Sequence, residues 1–163
     1  MVSTPRRCVC PGSYDPVTLG HLDVIRRACR LYDEVVVAVL DNTKKQGLFS
    51  PAERVALIEG EVEALPSVRV VTFGASLLVD VCRDLGIQAI VKGLRGETDY
   101  SYELPMAVMN RHLRGVETLF LPGEPSFVQV SSSLIKEVAR FGGDVSAFVS
   151  PTVLSALHER LAR

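Results

Sequence analysis

The chain has 163 residues, 47% of them hydrophobic and 23% charged, which suits one soluble globular domain with its own core rather than a disordered or fibrous chain. Its 18 Lys and Arg against 19 Asp and Glu leave a net charge of −1, so no global positive field draws nucleic acid or an anionic membrane, and any anion site must be local. No apolar run approaches the roughly 18 residues of a membrane span. The longest is Val35 to Leu40, and the segment ahead of Pro11 is too short for the apolar core of a secretion signal, so the expected location is the cytoplasm. Cys8, Cys10, Cys29 and Cys82 form neither a C-x-x-C pair nor a zinc spacing and read as buried, reduced, inert thiols.

In chain order, Arg7 to Cys10 is the first predicted strand, and Leu22, Ile25, Cys29 and Tyr32 then recur at helical spacing. Glu34 to Leu40 is the second strand. Ser50, Pro51 and Glu53 supply an N-cap, a first-turn proline and a capping-box glutamate for a helix striped by Val55, Ile58, Val62 and Leu65. Val68 to Thr72 and Ile87 to Val91 are the third and fourth strands. Tyr102, Met106, Met109 and Leu113 predict a further amphipathic crossover helix, in which Pro105 costs about 3 kcal/mol unless the helix starts late or kinks. Thr118 to Leu121 is the fifth strand. Ser131, Ser132 and Ser133 open a helix with Leu134 and Val138 turned inward. Ser150 and Pro151 open the last helix, whose stripe of Leu154, Leu157 and Leu161 either closes the sheet edge or faces another subunit; Val149 and Leu154 read as exposed.

Strands alternating with helices predict a single domain over residues 1–163: a doubly wound, Rossmann-like α/β fold with a five-stranded parallel sheet and helices on both faces. Ligands of such sheets bind beyond the carboxyl ends of the strands at the switch point, so function belongs in the loops there. The first loop, Pro11-Gly12-Ser13-Tyr14-Asp15-Pro16-Val17-Thr18-Leu19-Gly20-His21, allows close backbone approach at Gly12 and sets His21 in a helix's first turn, where free N–H groups and the dipole attract phosphate. By itself a Gly-His pair is more often an ordinary surface helix start. Asp41 to Gly47 carries Lys44 and Lys45, and the fourth strand ends in Lys92-Gly93-Leu94-Arg95-Gly96, two cations able to converge on phosphate or simply a polar turn. The three serines are good caps and equally a cradle for phosphates. Neither G-x-x-x-x-G-K-[ST] nor G-x-G-x-x-G occurs.

Gly12-Ser13-Tyr14-Asp15-Pro16 with Thr18-Leu19-Gly20-His21 resembles the G-x-F-D-P and T/H-x-G-H signature of the α/β nucleotidyltransferases, with Tyr14 where phenylalanine is usual. Lys92-Gly93-Leu94-Arg95, Met109-Asn110-Arg111-His112 and Ser131-Ser132-Ser133-Leu134-Ile135-Lys136-Glu137-Val138-Ala139 narrow the likeness to bacterial phosphopantetheine adenylyltransferases. The order and spacing hold from Cys10 to the last helix. Two departures stand out: Pro105 where glutamine is usual, and Val128-Gln129 in place of Ser-Phe after the aromatic Phe127.

The resemblance implies adenylyl transfer from ATP to 4'-phosphopantetheine, giving 3'-dephospho-coenzyme A and pyrophosphate. It assigns catalysis to His21, Lys45 and Ser13. Lys45 stands six residues before Pro51, and Lys44 is its neighbour without the role. ATP binding falls to Gly12, Ser13, Tyr14, His21, Gly93, Arg95, Glu103, Phe127, Ser131, Ser132 and Ser133. Phosphopantetheine binding falls to Ser13, Lys45, Ser76, Leu77, Lys92, Met109 and Asn110, with His112 left as a surface histidine. It further implies Mg2+ carried by phosphate oxygens and water rather than a protein metal site, coenzyme A as feedback inhibitor, and a homohexamer built as a dimer of trimers. Transfer to another phosphorylated acceptor and a non-catalytic nucleotide sensor are the competing readings.

Overall fold

The computed structural model describes residues 4–41, 47–74, 76–127 and 130–162. Five strands, β1 (Arg7–Gly12), β2 (Glu34–Leu40), β3 (Val68–Phe73), β4 (Ala89–Leu94) and β5 (Glu117–Pro122), form one parallel sheet in the order β3-β2-β1-β4-β5. Between and after them run α1 (Leu19–Ala28), α2 (Pro51–Val62), α3 (Leu78–Asp84), α4 (Glu97–Arg114), α5 (Ser132–Arg140) and α6 (Pro151–Leu161). The chain winds outward from β1 in one direction and returns to β4 on its other side. The switch point therefore lies between β1 and β4.

The pleat divides the core in two. Cys8 and Cys10 of β1, Val35, Val37 and Val39 of β2, and Ala89 and Val91 of β4 face one layer, filled by Leu22, Ile25, Ile58, Val62, Ile135, Ala139, Val153 and Leu157 from α1, α2, α5 and α6. Val9, Val36, Ala38 and Ile90 face the other, against Val79 and Cys82 of α3. Burial on both faces explains why β2 reads as an unbroken apolar run instead of an alternating one. Cys8, Cys10 and Cys82 are buried free thiols and Cys29 is partly exposed; burial pushes Cys82 up to about 11, far from thiolate chemistry.

Several sequence expectations need correction. Ile87 lies just ahead of β4, which begins at Ala89, and Tyr32 and Leu65 lie past the ends of their helices. Helix α3 was not expected, because its seven residues are too few to establish a helical period. Leu134 is 44% exposed: Ile135 and Ala139 form the buried face of α5, and Leu134 sits about 100° round the helix from Ile135. Val149 is buried, not exposed, and the α6 stripe centres on Val153 and Leu157 inside the core of the same chain.

Helix α4 differs most. It runs unbroken through Pro105, and the carbonyl deprived of its amide donor belongs to exposed Ser101. None of its residues is buried, and Tyr102, Met106 and Met109 are 75%, 53% and 52% exposed. Apolar residues at helical spacing establish that a face is apolar without saying what covers it.

Candidate active site

Gly12 ends β1, and the chain then turns sharply enough that Tyr14 takes a φ of 51°, a left-handed conformation few bulky residues adopt. Burial of the ring and a hydrogen bond from its hydroxyl to the Cys10 carbonyl, 2.8 Å, hold it there. A Cβ at position 12 would meet that ring at 3.1 Å, a tight contact that the buried Tyr14 ring would have to relieve by shifting a few tenths of an ångström. The Tyr14 ring meets the His21 imidazole edge-on at a centroid distance of 4.9 Å.

Thr18 caps α1: its hydroxyl accepts from the His21 N–H at 3.3 Å, and its own N–H donates to His21 Nδ1 at 3.1 Å. Because Nδ1 is an acceptor, the proton of the neutral ring sits on Nε2. Desolvation under the loop, with the Arg95 charge as the smaller cause, brings the imidazole down to about 4. At neutral pH His21 is therefore an uncharged Nε2–H donor on the first turn of α1, whose axis points positive there.

Beneath the loop, Asp15 is 7% exposed. Its carboxylate accepts from the Leu48 and Phe49 N–H groups at 2.9 and 2.8 Å and from Lys136 Nζ at 2.6 Å, with Arg54 Nε 3.8 Å away. Burial works against the charged carboxylate, but the Lys136 and backbone hydrogen bonds outweigh it and hold the group below its usual range. Arg54, equally buried, donates to the carbonyls of Phe49, Ser13 and Leu40 at 2.8, 3.2 and 3.2 Å. Ser132 Oγ donates to the Pro16 carbonyl at 2.8 Å, and Ser131 Oγ caps α5 by accepting from Leu134 N–H. Two of the three serine hydroxyls thus act within the fold, and Ser133 is exposed. Phe127 reaches the same place: a Cβ at Gly20 would stand 3.3 Å from Phe127 Cβ.

Across the switch point, Lys92 pairs with Glu103 at 3.1 Å and Arg95 forms a forked pair with Asp99 at 2.8 and 2.9 Å. Gly93 is compelled by packing, since a Cβ there would stand 2.6 Å from Val24 of α1. Leu94, Arg95, Tyr100, Phe120 and Pro122 line an open cleft of about 440 Å³.

A family model described as cytidylyltransferase-like matches residues 9–138. The phosphopantetheine adenylyltransferase of Nocardioides sp. is 58% identical over 156 residues, spanning 96% of this chain and 98% of the relative, and that of Streptomyces coelicolor is 57% identical with the same coverage. The chain belongs to the phosphopantetheine adenylyltransferase family. Solved structures share the fold at low identity. A bifunctional NMN adenylyltransferase/ADP ribose pyrophosphatase of Francisella tularensis matches at TM-score 0.73 and 15% identity, over 98% of this chain and 51% of that one. A lipopolysaccharide core biosynthesis protein of Thermoplasma volcanium matches at 0.56 and 21%, over 74% and 98%.

Of the residues that family resemblance singled out, the structure gathers Gly12, Ser13, Tyr14, His21, Phe127 and the Ser131–Ser133 turn around the first loop, and links Lys92, Arg95 and Glu103 through α4. Ser13 is exposed, and its side chain has no hydrogen bond among the described residues. Met109 and Asn110 lie farther along α4, and Ser76 and Leu77 lie beyond β3 at the start of α3. Among the described residues no bond joins these four to the first loop. Lys45, with Lys44 and Val128-Gln129, lies outside the described residues. Thr18, Arg54 and Lys136 were not singled out from sequence. For Arg54 a signal exists: with Ile58 and Val62 it falls at i, i+4 and i+8 on the buried face of α2, a charge where the period demands an apolar residue.

Proposed function

We propose that this chain transfers the adenylyl group of ATP to the phosphate of 4'-phosphopantetheine. A phosphate oxygen attacks the α-phosphorus, a new P–O–P linkage forms, the bond to the β-phosphate breaks, and pyrophosphate leaves, giving 3'-dephospho-coenzyme A. The nucleophile is already ionised, so neither a general base nor a covalent intermediate is needed, and the demand falls on positioning and on charge at the α-phosphate.

The observation that carries this reading is His21, neutral with its proton on Nε2 at the mouth of the β1–β4 switch point. There it donates to an α-phosphate oxygen without giving up its proton. Ser13 anchors the attacking phosphate, Arg95 and the amides at the start of α5 receive the β- and γ-phosphates, Lys92 holds the acceptor's phosphate, and Glu103 faces the nucleotide. Lys45 completes the catalytic set in this reading. Met109, Asn110, Ser76 and Leu77 take the pantetheine arm.

Among the described residues no cluster of three His, Cys, Asp or Glu side chains could hold a metal ion, and Asp15, Asp99 and Glu103 already face cations. In this reading Mg2+ enters as part of the substrate MgATP, held by phosphate oxygens and water. The reading extends to a cytoplasmic homohexamer inhibited by coenzyme A. The apolar face of α4, open in the single chain, supports assembly, and no helix among the described residues is long and apolar enough to cross a membrane.

The test is pyrophosphate release from MgATP with 4'-phosphopantetheine, nicotinamide mononucleotide or glycerol phosphate offered separately. Release with the first alone is expected, with His21→Ala lowering kcat at least about 100-fold and leaving ATP affinity nearly unchanged. Turnover with either other acceptor replaces the substrate assignment, and ATP binding without any turnover replaces catalysis by sensing.

A further inference from the structure

Helix α5 is tied to the first loop along one face. Ser132 and Lys136 are one turn apart, and they bond to consecutive residues of the loop: Ser132 Oγ to the Pro16 carbonyl at 2.8 Å and Lys136 Nζ to the Asp15 carboxylate at 2.6 Å. On the same helix Ile135 and Ala139 enter the core, so the backbone of α5 is fixed from below while these two bonds fix it sideways. Asp15 is in turn held by the Leu48 and Phe49 amides, and Arg54 holds the carbonyl of Ser13. The serine turn that opens α5 and the loop that carries Ser13 and His21 are separated by more than a hundred residues of chain, yet they are bonded into one body.

We propose that Lys136 is a positioning residue for the transfer reaction, acting through Asp15 to fix the register between the α5 serine turn and the Ser13–His21 loop. The inference rests on the function proposed above, in which the serine turn receives the triphosphate and Ser13 the attacking phosphate. In-line attack then requires the two half-sites to be spaced correctly relative to each other, and a displacement of about 1 Å between reacting groups costs on the order of 100-fold in rate. A loss of register leaves each half-site able to bind its own substrate and spoils only the encounter between them. The Lys136 side chain is 23% exposed and meets no other described anion, so its removal leaves the core of α5 intact.

The experiment compares Lys136→Met, Lys136→Arg, Asp15→Asn and the Lys136→Met/Asp15→Asn double variant with the unaltered chain, by kcat and KM for both substrates and by thermal melting. The expected result for Lys136→Met is a kcat lowered at least about tenfold with each KM within about threefold, and recovery of most of the rate in Lys136→Arg. In the double variant the losses should not multiply, because both substitutions cut the same link. A KM for ATP that rises in step with the lost rate, or losses that multiply, would make Lys136 a direct phosphate ligand and overturn the proposal. A lowered melting temperature with unchanged kinetics would make it merely structural, again overturning it. Should Asp15→Asn not fold, the split between kcat and KM in the two Lys136 variants decides alone. Silence of the unaltered chain with phosphopantetheine would remove the proposed function and this inference together, whereas an active chain with indifferent variants removes only the inference.

Discussion

Under the first loop Arg54 and Lys136 face Asp15, with the Arg54 and Asp15 side chains both 8% exposed. On the other side of the switch point Lys92 and Arg95 face Glu103 and Asp99 with cations 26% and 45% exposed. The chemistry is the same, carboxylate against cation, but the surroundings differ. Arg54 is anchored by three backbone carbonyls and Asp15 by two amides, so neither can leave without orphaning buried partners. The α4 pairs reach water, and an incoming phosphate offers Arg95 and Lys92 the same charge-assisted hydrogen bonds that Asp99 and Glu103 supply. The first network builds the frame around the first loop; under the proposed function the second holds cations that an incoming phosphate would take over from Glu103 and Asp99.

Arg54→Met tests that contrast most severely. It leaves Asp15 short of a buried partner and frees three carbonyls, and breaking a buried pair in this way costs about 3–5 kcal/mol. Lys92→Met, by comparison, should change stability by less than about 1 kcal/mol. Urea denaturation of both variants measures the difference; equal losses would erase the distinction between frame and exchangeable pairs.

The His21 environment belongs to the frame side, and pH resolves it. With a folded value of about 4 against roughly 6.5 unfolded, the neutral imidazole contributes stability that is present above about 6.5 and lost as pH falls toward 4. The ring proton resonances of His21 should titrate near 4 in NMR spectra. A midpoint near 6.5 would mean the pocket does not hold the ring neutral. The effect on the α4 side is smaller. In Asp99→Asn, Arg95 loses its competitor, and the affinity for pyrophosphate at low salt should rise about threefold, the gain fading at high salt as screening weakens both arrangements. Unchanged affinity, measured calorimetrically, would show that Asp99 does not compete.

The fold was legible because its determinants are local or periodic. The valines of β2, the Ser50-Pro51-Glu53 cap and the Gly12-to-His21 loop each announce their structure within a dozen residues. The frame was not, because it is made by long-range pairs: Lys136 meets Asp15 across 121 residues, and nothing near position 136 says where its ammonium points. Arg54 was readable in principle as a charge on an apolar period. The exposure of α4 is not readable for the opposite reason: its apolar residues recur at helical spacing, and spacing alone does not say whether such a face is covered.

Tyr14 gives the finest test of how redundant the frame is. Its hydroxyl makes one buried hydrogen bond, to the Cys10 carbonyl, and burial pushes the phenol well above its ordinary range, so it remains a donor throughout the working pH range. The left-handed backbone at this position is unfavourable for any bulky residue, but the ring packing that opposes the strain is the same in phenylalanine. Tyr14→Phe should therefore lose about 1 kcal/mol of stability, the net worth of one hydrogen bond, and keep kcat within about threefold, because Thr18 still fixes the His21 ring and Asp15 still fixes the loop. A much larger fall in kcat at that small cost in stability would place the orientation of His21 on the Tyr14 hydroxyl, and would shift the frame from the ion network under the loop to the tether at its start.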